Sequence, residues 1–256
     1  MHSPMLILAG LLIVFLAGVV RGFAGFGFSA LCVAGLTLFL PPAQVVPPIF
    51  VLEVLASITL LREGLRNADW NWLGWLALGN ALLIPVGLLL LAYLPETPLR
   101  MLIGSLLLLS AGLMRSGHAF ALSPTRGLRL VTGMASGLIN GLCAMGGTVV
   151  VLLLSTTQMA PRVLRATLVM LFLLGDLYAL GWAGLLSLGD GSAMALISQD
   201  TLTWTAAMAP AMLAGMWVGQ HAFSGVSPER FRQQVLNLLL LIGLVTVLRA
   251  ALGLAG

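Results

Sequence analysis

Long apolar runs separated by short polar loops account for almost the whole chain. They fall at about 5 to 20, 28 to 40, 44 to 61, 72 to 94, 98 to 115, 128 to 140, 146 to 158, 164 to 186, 202 to 222 and 234 to 254. About 20 apolar residues are needed for a helix to cross a bilayer. The pattern therefore predicts an all-α integral membrane protein, with residues 1–256 forming a single transmembrane domain.

The order of the runs repeats after roughly residue 120. Pro42-Ala43-Gln44-Val45-Val46 has its counterpart in Ala160-Pro161-Arg162-Val163-Leu164, and Leu99-Arg100-Met101-Leu102-Ile103 in Phe231-Arg232-Gln233-Gln234-Val235. This predicts an internal duplication, with repeats at 5–118 and 126–256 of four elements each. Each repeat opens on a glycine-broken stretch. The first is Gly18-Val19-Val20-Arg21-Gly22-Phe23-Ala24-Gly25-Phe26-Gly27, and the second is Gly137-Leu138-Ile139-Asn140-Gly141-Leu142-Cys143-Ala144-Met145-Gly146-Gly147. Glycine frees backbone from the helical ladder, and hydrocarbon tolerates freed N–H and C=O groups only where they face protein, water or a solute. Paired breaks in a polytopic chain point to a transport site.

Arginine placement distinguishes two ways of threading the breaks. If each broken stretch crosses once, the loop arginines divide almost evenly between the two sides. If each leaves and returns on one side, as a re-entrant hairpin or two short crossings, Arg62, Arg66, Arg115, Arg126, Arg129, Arg162, Arg165, Arg230 and Arg232 face only Arg100 and Arg249. The positive-inside rule selects the second arrangement, with both termini outside and the two repeats inverted. Trp70, Trp72 and Trp75 then fall at the cytoplasmic interface, as belt anchors or as packing residues.

Composition agrees with a membrane protein: the chain is 60% hydrophobic and 8% charged, and its mean hydropathy is +1.09. The net charge of +4 comes from loop arginines and is better explained by topology than by nucleic-acid binding. Cys32 and Cys143 read as small core residues without a disulfide or metal pattern nearby. No cofactor or metal motif is present, no nucleotide-binding loop that would drive ATP hydrolysis, and no catalytic constellation. Ser136 lacks the glycine order of an intramembrane serine protease.

The candidate residues lie at the breaks and in mid-span. Arg21, the one arginine inside an apolar stretch, either binds an anionic substrate or pairs with Glu53. Glu53 and Asp176 are buried carboxyls suited to proton coupling. Glu53 has the alternative of serving as the partner of Arg21, and Asp176 of pairing across helices or binding a cation. Half-helices that begin near Gly27 and Gly147 point N–H groups inward, which suits a small anion. Ser29 and Thr148 either add hydroxyl donors there or cap the helices. Asn140 either donates to the anion or satisfies unwound backbone.

Taken together, the broken glycine-rich opening, Pro41-Pro42-Ala43-Gln44-Val45, Asn67-Ala68-Asp69-Trp70, Leu94-Pro95-Glu96 before Leu99-Arg100, and the second break resemble the sulfite exporter TauE/SafE family over nearly the whole chain. The resemblance implies a multi-pass permease of the bacterial inner membrane for sulfite, organosulfonates or related anions. The glycines that match the family pattern are Gly22, Gly25, Gly27, Gly141, Gly146 and Gly147. The chain departs from the commoner form at Gly25-Phe26-Gly27-Phe28, where a run of three glycines is frequent. The expected partners are a small anionic substrate and the lipid bilayer, with a homo-oligomer compatible and no nucleic acid. An anion channel and a membrane redox or enzyme protein using the two cysteines are the alternatives.

Overall fold

The computed structural model describes residues 4–116, 125–154, 157, 159–187, 197, 199–221 and 228–252, and it is helical with no strand among them. The helices are α1 (Pro4–Ala24), α2 (Phe28–Leu36), α3 (Pro42–Thr59), α4 (Leu61–Asn67), α5 (Trp70–Tyr93), α6 (Glu96–Ser116), α7 (Arg126–Cys143), α8 (Gly147–Leu154), α9 (Pro161–Ser187), α10 (Gln199–His221) and α11 (Pro228–Ala251). Five of them, α1, α3, α5, α6 and α9, are long and apolar enough to cross a membrane. Leu12, Leu16, Leu82, Leu89, Leu185, Trp217 and Leu241 are exposed on the outer surface. Such a surface suits hydrocarbon and not water. Residues 117–118 and 253–256, at the ends of the two expected repeats, lie outside the described residues, as do 188–196.

Most glycines of the two broken stretches lie inside helices. The α1 ladder runs on through Gly18 and Gly22 and stops only at Ala24, and α7 runs through Gly137 and Gly141 to Cys143. Their work is close packing. Gly18 and Gly22 face the backbone of Met212 and Met216 on α10, while Gly215 and Gly219 face that of Phe15 and Val19 on α1. Likewise Gly133, Gly137 and Gly141 face Leu76, Asn80 and Ile84 on α5, and Gly79 and Gly87 return the contact. A Cβ at any of these positions would overlap backbone atoms of the neighbouring helix. Small residues four apart let two helices approach where lipid supplies no hydrophobic drive.

The segment after α3, expected as a loop, forms α4, because Arg62, Glu63, Arg66 and Asn67 are polar without being helix breakers. Asp69 then caps α5, its Oδ1 accepting from the N–H groups of Asn71 and Trp72 at 3.0 and 3.1 Å. Of the three tryptophans, Trp70 is exposed, Trp75 half-buried and Trp72 buried, with the Arg129 guanidinium 4.1 Å above its ring. Trp72 therefore packs α5 against α7.

The opposite end of the molecule is tied by two arginines. Arg100, at the start of α6, donates to the carbonyls of Thr37 and Leu40, and Arg249, at the end of α11, donates to that of Leu38 at 2.9 Å. The start of α6 and the end of α11 thus meet at the C-terminal end of α2.

Candidate functional site

Each opening helix ends on a residue in the left-handed region. Gly25 has φ 80° and its N–H reaches the carbonyl of Arg21 at 2.8 Å; Ala144 has φ 56° and its N–H reaches that of Asn140 at 2.7 Å. A second left-handed residue, Gly27 at φ 91°, starts α2. These are the points where the chain leaves the helical ladder.

Arg21 is fully buried. One guanidinium nitrogen donates to the Gly25 carbonyl at 2.9 Å and another to Ser57 Oγ at 3.0 Å, and the latter nitrogen lies 3.2 Å from Glu53 Oε2. Arg21 Nε has no hydrogen-bond partner among the described residues, and the guanidinium sits 4.6 Å above the Phe172 ring. The other oxygen of Glu53 accepts from the Ser29 N–H at 3.2 Å and the Ser29 hydroxyl at 3.0 Å. The N-terminus of α2, expected to face an anion, is therefore filled by a carboxylate of the chain itself.

At the second break, Asn140 Nδ2 donates to Asp176 Oδ1 at 2.8 Å and its Oδ1 accepts from the Gly146 N–H at 3.3 Å. Beside it, Asn80 Nδ2 donates to Ser136 Oγ at 2.9 Å, and Asn80 Oδ1 is buried without a hydrogen-bond partner among the described residues. Phe172 stands between the clusters, carrying Arg21 over its face and Gly147 against its edge.

The remaining sequence candidates divide by location. Gly22 and Gly141 lie in the helix contacts already described, Gly146 sits against Ser136, and Gly25 against the Arg165 side chain. The Thr148 hydroxyl donates to the Met145 carbonyl at 2.7 Å. Gly27 and Thr148 also line a cavity of about 640 Å³ that runs from the first break to the N-terminal end of α9. Ser57, Asn80, Ser136, Phe172 and Arg165 enter the site without having been expected there. Asn80 had a legible signal, as the single amide in mid-span of an apolar helix. Both cysteines are buried and free.

Comparison with known proteins identifies a family. The profile of the family described as sulfite exporter TauE/SafE matches residues 10–246. A protein of Cupriavidus necator described as a probable sulfite/organosulfonate exporter TauE is 29% identical over 158 residues, which cover 58% of this chain and 60% of the relative's length. No solved structure matches. The chain belongs to the sulfite exporter TauE/SafE family, a family of multi-pass membrane transporters and not of enzymes.

Proposed function

We infer that the chain is a secondary transporter of the bacterial inner membrane that moves sulfite or an organosulfonate by alternating access of two inverted repeats. The observation that carries the reading is the matched construction of the two breaks. At one constant spacing along the chain, Arg21 corresponds to Asn140, Gly25 to Ala144, Gly27 to Gly146, Ser29 to Thr148, Pro42 to Pro161, Glu53 to Phe172 and Ser57 to Asp176. Packing repeats in the same way. Helix α1 lies on α10 as α7 lies on α5, while α3 lies on α9 and α6 on α11. The meeting of the start of α6 with the end of α11 supports opposite orientation of the halves. A midplane site between inverted repeats is where such transporters hold their substrate.

The Glu53 contacts support proton coupling. The carboxylate of Glu53 occupies both the α2 N-terminus and Arg21, the positions an oxyanion would take. Protonation of Glu53 releases both, so that anion and proton enter together. Asp176, held by an amide and not by a cation, is the second proton site.

Two measurements test the reading. Purified protein in proteoliposomes is expected to give saturable, pH-gradient-driven flux of radiolabelled sulfite, accelerated by unlabelled sulfite on the opposite side. Conductance without counterflow would instead identify a channel. Labelling of cysteines introduced at single sites is expected to place residues 62–69 in the cytoplasm and both termini outside. A C-terminus on the side of residues 62–69 would remove the inverted arrangement.

A further inference from the structure

The cavity that reaches the first break is far larger than a bare oxyanion needs, and most of the residues that line it are apolar. At about 640 Å³ it lies in the range of pockets that enclose drug-sized organic ligands. Its walls include Phe23, Phe26, Leu154, Leu236 and Leu239. Among the described residues, Arg162, Arg165 and Glu63 supply its charges, and the two cations suit an anion. Arg165 is held loosely. Its Nε is 3.9 Å from Glu63 Oε2 and has no hydrogen-bond partner among the described residues, and its terminal nitrogen reaches the Gly22 carbonyl at a long 3.4 Å. Both side chains keep some exposure, 25% for Arg165 and 33% for Glu63. Arg21, by contrast, is enclosed by its own partners.

We propose that this cavity receives an organic sulfonate with an apolar body, that Arg165 takes its anionic head, and that Glu63 is the internal counter-ion displaced when the ligand arrives. The apolar walls hold the body of the ligand, and the exchange of Glu63 for sulfonate leaves Arg165 paired in both states. Arg162 and Arg165, which line the cavity, belong to the arginine-rich side of the chain, so entry of the ligand is assigned to the cytoplasmic face. This deepens the transport reading and rests on it.

Titration calorimetry on the full chain in phosphatidylcholine nanodiscs tests the proposal, with benzenesulfonate as probe, neutral benzenesulfonamide as control and sulfite alongside. Benzenesulfonate is expected to bind and the sulfonamide not. Arg165→Gln should weaken benzenesulfonate about tenfold or more, the loss of one charged hydrogen bond. Glu63→Gln should strengthen it roughly two- to fivefold by releasing Arg165. The double variant should follow Arg165→Gln. A merely structural pair predicts changes in melting temperature with no opposite movement of the two affinities. If Arg165→Gln does not fold, the tightening by Glu63→Gln alone decides, because Glu63 is partly exposed and its amide is nearly isosteric. Sulfite transport with no benzenesulfonate binding, equal binding of the sulfonamide, or affinities that shift in the same direction would each overturn the proposal and leave the transport reading intact. Co-purification of one tightly held anionic lipid that benzenesulfonate cannot displace would also overturn it. Absence of both binding and flux for every anion would remove the two together.

Discussion

Arg21→Ala is expected to cost about 3–5 kcal/mol of stability, because it leaves the Glu53 carboxylate buried without its cation. Transport should be lost with it. Arg21→Lys should recover only part of either. Arginine here serves Glu53, Ser57, the Gly25 carbonyl and the Phe172 face together, which a single ammonium on a flexible stem cannot match. Glu53→Gln added to Arg21→Ala removes the orphaned charge, so the double variant should regain stability without regaining flux. Thermal unfolding in detergent together with sulfite flux separates these outcomes. Equal stability of Arg21→Ala and the parent protein would show that the pair holds nothing in place. Glu53→Gln alone completes the test: retained exchange with lost dependence on the pH gradient is the expected behaviour of a proton carrier.

The other large effect is expected at Gly137. A methyl group there would meet the carbonyl and Cα of Asn80 inside van der Waals contact, and backbone cannot turn aside as a side chain can. Gly137→Ala should therefore separate α5 from α7 and cost about 3 kcal/mol or more. Gly181 on α9 provides the control, since it is exposed and nothing stands within 4 Å of an added Cβ. Gly181→Ala should be neutral or stabilising by up to about 1 kcal/mol through helix propensity. Unfolding curves that rank the two variants in the opposite order would refute the packing account.

What the sequence disclosed depended on which physical signal was strongest at each position. The apolar runs located the long helices well, because bilayer length and backbone satisfaction leave few alternatives. Arg21, Glu53 and Asp176 were legible as charges where charge is costly. Ser57 and Ser136 were not, since a hydroxyl is cheap in a helix and only the fold shows what it faces. Glycines presented a different difficulty. Gly22 and Gly141 carry the same residue type as Gly25 and Gly27, yet the first two sit in helix contacts and the others turn the chain. Spacings of four, as in Gly18 and Gly22 or Gly137 and Gly141, are the packing signal; close pairs such as Gly25 and Gly27 are the turning signal. Helix α4 went unread because its charged residues interrupted the apolar pattern from which the elements were drawn.

The two arginines that grip the carbonyls after α2 hold that short helix differently from the way its other end is held. Arg100 and Arg249 anchor Thr37, Leu38 and Leu40, while the opposite end follows the left-handed Gly25 and Gly27 and is held by the bonds of Ser29 to Glu53. The carbonyl end is then the natural fulcrum for any tilt of helix α2. Its nine residues span about 13–14 Å at 1.5 Å each, so a tilt of ~20° swings the Ser29 end through roughly 4–5 Å. That travel exceeds a hydrogen bond, so a rotation of this size about the anchored end would part Ser29 from Glu53.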